Sequence, residues 1–105
     1  MKVYISLPIT GHDEKRQREK ADMVKAALSR AGHKPVSPFD IYAGKNPTYF
    51  DYLCYDLRAL ADSDAIYLCE GWENSRGCLV EAHFAKIYRK TVMLEKEESG
   101  YYFNK

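Results

Sequence analysis

The chain has 105 residues, the size of one small domain with a core of its own, and we read 1–105 as a single domain. Hydrophobic residues at 46% and charged residues at 30% give the mix of a soluble globular protein and argue against disorder. A formal net charge of +1 leaves no electrostatic footprint for a nucleic-acid polymer, and no apolar run approaches the roughly 20 residues of a membrane span. The start, Met1 to Leu7, is too short for a signal peptide. Cys54, Cys69 and Cys78 form no CxxC pair and are odd in number, which predicts buried thiols in a reducing, cytoplasmic setting.

In chain order, Lys2 to Leu7 is a short β-rich run stopped by Pro8. Asp13 to Ala31 predicts a helix, because Ala21, Val24, Ala27, Leu28 and Ala31 recur at three- and four-residue steps. Its charged run from Lys15 to Lys20 reads as a solvated face. Gly32 suits the position just past that helix. His33 to Ser37 predicts a second strand and Phe39 to Pro47 a loop. A second helix is expected from Thr48 to Ala61, with Phe50, Leu53, Leu57 and Leu60 on one stripe. Asp64 to Cys69 is nearly continuous and apolar, as a parallel strand covered on both faces should be. Gly71 to Gly77 is a glycine-bracketed loop opening a third helix to about Tyr88. Thr91 to Leu94 is the last strand, and residues 95–105 form a tail that ends in aromatics at Tyr101, Tyr102 and Phe103.

Strands alternating with helices imply a Rossmann-like or flavodoxin-like three-layer α/β sandwich around a four- to five-stranded parallel sheet. Ligands bind such sheets outside the carboxyl ends of the strands, where the strand order reverses. Two loops meet that description: Pro8 to His12 and Gly71 to Gly77.

Glu81 falls in the first turns of the helix that the second loop opens, where the helix dipole favours a carboxylate. It reads either as a nucleophile or as a solvated helix residue. Asp56 borders the buried stripe of the second helix, and a carboxylate there needs a partner or a function. It is either a general acid near Glu81 or a surface charge paired with Arg58 or Lys20. His12, His33 and His83 lack ligand spacing, so no metal site is expected.

Three blocks carry a resemblance. The first is Tyr4-Ile5-Ser6-Leu7-Pro8-Ile9-Thr10-Gly11. The second is Asp56-Leu57-Arg58-Ala59-Leu60 leading to Ser63-Asp64-Ala65-Ile66. The third runs from Gly71-Trp72-Glu73-Asn74-Ser75 to Val80-Glu81. In order and spacing the chain resembles the nucleoside 2-deoxyribosyltransferase-like superfamily, and within it a group of small bacterial and phage proteins related to deoxyribonucleoside 5′-monophosphate N-glycosidases. The resemblance implies that Glu81 attacks the anomeric carbon, that Asp56 handles the proton at the departing base, and that Tyr4 hydrogen-bonds the nucleophile. It also implies substrate contacts from Ile9, Thr10, Gly11, Trp72, Asn74, Ser75 and Gly77, with no cofactor and no metal. Ser75 matches the hydrolase branch, where that serine meets the 5′-phosphate.

There are departures. Where the hydrolase branch has a glycine-serine pair and an arginine, this chain has Leu7, Pro8 and Thr10, so one cationic phosphate anchor lacks a counterpart. Arg76, or backbone amides at Thr10, Gly11 and the third helix's start, are the available substitutes. After the glutamate, Ala82-His83 replaces the usual Leu-Gly, leaving His83 either in the site or against the sheet. Trp72 reads as a base-stacking ring or as hydrophobic cover. The reading that results is cleavage of the N-glycosidic bond of a deoxyribonucleoside or its 5′-monophosphate, by hydrolysis or transfer. The alternative is a nucleotide-binding module without turnover. A homodimer is expected, joined through Tyr49, Phe50, Tyr52 and Tyr55 and the aromatic tail, unless that tail folds back on its own sheet edge.

Overall fold

A computed structural model of the protein describes residues 1–95 and the backbone of residues 103 and 104. Its elements are β1 (Lys2–Ser6), α1 (Glu14–Arg30), β2 (Lys34–Val36), α2 (Tyr49–Ala61), β3 (Ala65–Leu68), α3 (Arg76–Ile87), β4 (Thr91–Leu94) and β5 (Phe103–Asn104). The sheet order is β2-β1-β3-β4-β5. Strands β1 to β4 are parallel, with Tyr4 beside Val36 on one side and Ile66 on the other. The chain steps outward from β1 to β2, then returns across β1 to build β3 and β4. The order therefore reverses between β1 and β3.

The fifth strand departs from an all-parallel sheet. Phe103 and Asn104 pair antiparallel with Met93 and Val92, a reversal that needs no crossover helix. The backbone at that point closes on the chain's own sheet edge. Tyr101 and Tyr102 lie outside the described residues.

Alternation along β1 decides what faces what. Val3, Ile5 and Leu7 join Ala65, Tyr67, Cys69 and Met93 beneath Ala21, Val24 and Leu28 of α1. Tyr4 points the other way, into a second cluster with Ile66, Leu68, Leu60 of α2 and Ala85 of α3. Truncating a side chain such as Ile66 to alanine in this layer would cost about 2–5 kcal/mol.

Local sequence sets the helix ends. Asp13 caps α1, accepting from the Lys15 amide. At the other end Gly32, at φ +89°, lets the His33 amide reach the Leu28 carbonyl and the Gly32 amide reach Ser29. Thr48 and Asp51 cap α2 reciprocally. The stretch expected as loop after β2 begins with a 3-10 turn, Pro38–Asp40, held by a reciprocal cap between Ser37 and Asp40. Lys25 of α1 ties Asp40 down at 2.9 Å. Among the described residues no helix is long and apolar enough to cross a membrane.

Candidate active site

A cleft of about 840 Å³ opens at the carboxyl ends of β1 and β3, between the first loop, α2 and the start of α3. Ligand clefts of several hundred Å³ are typical. Asp56, Ser75, Gly77, Cys78 and Glu81 line it from the helices, and Ile9 and Thr10 from the first loop.

At its floor lies Glu81, only 5% exposed. Two hydroxyls from β1 hold its carboxylate. Tyr4 donates to Oε2 at 2.9 Å and Ser6 donates to Oε1 at 2.6 Å. Both are fully buried and two residues apart on one strand, so they face the same helix layer. Glu81 itself sits on the inward stripe of α3 with Cys78 and Ala85. It is not a solvated helix charge.

Asp56 comes from the middle of α2. Its Oδ1 is buried, and no described residue supplies a hydrogen-bond partner. The surface pairings open to it are taken elsewhere: Arg58 pairs with Asp62 at 3.4 Å and Lys20 with Glu95 at 2.5 Å. The Tyr4 hydroxyl proton goes to Glu81, and its oxygen lies near enough to Asp56 to influence that acid as well.

Burial dominates the electrostatics. It pushes Asp56 up to about 6, against the help of the Tyr4 hydroxyl. It pushes Glu81 up to about 8, opposed by the Ser6 hydroxyl, reinforced by the charge on Asp56, and opposed again by Tyr4. Near neutral pH the pair therefore holds about one proton between two carboxyls. Tyr4 is raised well above the usual phenol range by burial and then by both acids, so it remains a donor. Burial also raises Cys78, which keeps that thiol neutral beside the acids.

The remaining sequence candidates divide. Asn74, Ser75 and Gly77 line the cleft from the start of α3. Ser75 caps that helix, accepting from the Cys78 amide at 3.3 Å, and its own hydroxyl proton is left to donate. Gly77 faces α2, where a Cβ would make an ordinary contact with the Tyr49 hydroxyl at 3.5 Å. Gly11, at φ +82°, shapes the first loop's turn and does not line the cleft. Trp72 is not in the cleft. The 3-10 turn Trp72–Asn74 carries Asn74 toward the cleft and turns the indole outward against the second core cluster. His83, exposed on the outer face of α3, lies on that same far side.

Several cleft residues were not singled out from sequence as site residues. Ser6 is one, though its same-face spacing from Tyr4 is a usable signal. Phe39, Tyr49, Phe50 and Tyr52 supply aromatic walls, with the rings of Tyr49 and Phe50 edge-on at 5.2 Å. Phe50 is 71% exposed and not part of a buried stripe, because the first turn of α2 stands over the cleft while Leu57 and Leu60 reach the core. Arg18 leaves the solvated run of α1 to stack over Phe39 at 4.5 Å, with its Nε on Glu14 at 3.0 Å. With Arg76 it gives the cleft two cations. Among the described residues, no group of three or more His, Cys, Asp or Glu side chains is placed to hold a metal ion.

This is a doubly wound α/β domain whose switch-point cleft holds two carboxyls, one buried and one half-buried. The chain belongs to the DUF4406 family, a domain of unknown function, whose model matches residues 1–94. No curated protein matches it in sequence. Among solved structures, its fold is similar to that of the 2-deoxyribosyltransferase from the psychrotolerant bacterium Bacillus psychrosaccharolyticus. The two share a TM-score of 0.69 and 19% identity over 90% of this chain and 71% of the other.

Proposed function

We propose that the protein cleaves the N-glycosidic bond of a deoxyribonucleoside or its 5′-monophosphate through a covalent glutamyl-deoxyribosyl intermediate. The observation that carries this reading is the grip of Tyr4 and Ser6 on Glu81, in the same cleft as the unpartnered Oδ1 of Asp56. A glutamate held at both oxygens presents a fixed nucleophile, and a second, half-buried acid raised to about 6 lies in the same cleft to carry the proton that the departing base takes. The similar fold of a 2-deoxyribosyltransferase, described as a biocatalyst for nucleoside synthesis, supports the same reaction class.

In this reading an oxygen of Glu81 bonds to C1′ as the C1′–N bond breaks. The departing base takes a proton from Asp56. Asp56, now ionised, then removes a proton from an incoming water, whose oxygen displaces Glu81 from C1′. An acceptor base in place of water makes the reaction a transfer. The working state needs Glu81 ionised and Asp56 protonated. With Glu81 raised to about 8 and Asp56 to about 6, the proton of the free pair rests mostly on Glu81, so the working state is the minor arrangement of that proton, in which the two hydroxyls steady the Glu81 carboxylate.

The base would lie among Phe39, Tyr49 and Tyr52, and a 5′-phosphate would meet Thr10, Ser75, Arg18 and Arg76. The test is incubation with a panel of deoxynucleosides and their 5′-monophosphates, with chromatography for free base. Release from at least one is expected. Saturable binding without any release would instead identify a nucleotide-binding module, a reading favoured by the Leu7, Pro8 and Thr10 departures in the first loop.

A further inference from the structure

We propose a second ligand site on the far side of α3, one that takes a planar aromatic anion of the nucleotide type. A groove of about 860 Å³ lies between the outer face of α3 and the half-buried residues Val92 and Leu94 of β4. Its apolar floor is built by Leu68, Val92 and Leu94 of the sheet with the indole of Trp72 beside them. Its rim is basic. His83, Lys86 and Arg89 follow one another at three-residue steps along α3 and its end, and Lys90 comes next.

Charge complementarity selects the occupant. No aspartate or glutamate is among the described residues that line the groove. Neither Lys86 nor Arg89 has an ion-pair partner among the described residues. Lys90 is partly committed, donating to the Ala61 carbonyl at 2.9 Å. Three cations beside an apolar floor with a single indole suit a ligand that joins a flat ring to an anionic group. The catalytic cleft differs, since it mixes Asp56, Glu81 and Glu14 with its arginines. The two sites share α3 as a wall: Cys78 and Glu81 face the cleft, while Leu79 and His83 face the groove.

Trp72 is the only tryptophan of the chain, so intrinsic fluorescence reports on this groove. The experiment titrates 2′-deoxyguanosine 5′-monophosphate into Glu81→Gln protein, in which turnover is removed. Saturable quenching is expected, at least about tenfold weaker for 2′-deoxyguanosine and weakened by added salt. Lys86→Glu/Arg89→Glu should abolish the quenching, and the milder Lys86→Gln/Arg89→Gln should reduce it, both with unchanged circular dichroism. Absence of saturable quenching up to about 1 mM would overturn the site, as would quenching that both double variants leave intact. Neither outcome bears on base release in the cleft, which is read in the wild type by chromatography.

Discussion

Ser6 donates to Oε1 of Glu81 at 2.6 Å, joining β1, an interior strand of the sheet, to α3, which comes much later in the chain. With Tyr4 on Oε2, it leaves the glutamate little rotational freedom. Replacing Ser6 by alanine leaves a buried carboxylate one donor short. We expect kcat to fall about 10- to 100-fold with a small change in KM, since the loss bears on the reacting group. Loss of the donor also raises Glu81 further, so the alkaline limb of the pH profile should move upward as its maximum falls. An unchanged profile would show that Ser6 only fills space.

The pH dependence of the wild type follows from the pair. Activity needs one proton on the two acids, so kcat/KM should be bell-shaped with limbs near pH 6 and pH 8. Below the lower limb both acids are protonated and no nucleophile exists. Above the upper limb both are ionised and the base departs without a proton. A rate that climbs steadily past pH 9 would contradict this assignment.

Burying these acids costs stability in a pH-dependent way. Burial raises Glu81 in the fold from its ordinary value of 4.5 to about 8, so the native state holds a proton that the unfolded state has lost across that window. Stability therefore falls as pH rises from about 4.5 to 8 and stays lowered above. Glu81→Gln removes that penalty. Urea unfolding at pH 9 should find the variant about 2–4 kcal/mol more stable than wild type, with the gap closing by pH 5. A variant less stable than wild type at pH 9 would be inconsistent with a costly buried charge.

Much of this was legible because periodicity and punctuation agreed. Pro8, Gly32 and the apolar run from Ala65 to Cys69 bound elements that the structure contains, and alternating strands and helices implied the parallel sheet. What escaped depended on direction within loops and first turns. Trp72 and Asn74 are two residues apart in one 3-10 turn and end on opposite sides of α3, which composition cannot foretell. Phe50 fits a helical stripe by spacing, yet its turn overhangs the sheet. Arg18 sits in a run of charges that reads as solvated. Its place over Phe39 depends on a 3-10 turn whose signature, Ser37-Pro38-Phe39-Asp40, was present in the sequence.

The aromatic face around α2 predicts self-association. Tyr42 is 78% exposed, Phe50 and Tyr52 line the cleft with much of their surface in water, and Tyr55 of the same helix is exposed as well. Exposed aromatic clusters of this kind mark interfaces. Light scattering at micromolar concentration should give twice the 12.1 kDa of one chain, and Phe50→Ser/Tyr52→Ser should shift it toward the single-chain mass. A wild-type mass of 12.1 kDa would refute the dimer.

The central claim is that Glu81 is the nucleophile, and base release by Glu81→Ala tests it most directly. With the substrate that the wild type turns over best at pH 7, the folded variant should release base at least about 10³-fold more slowly, because no other described carboxylate is held by the two β1 hydroxyls. Release by Glu81→Ala at close to the wild-type rate would contradict the account.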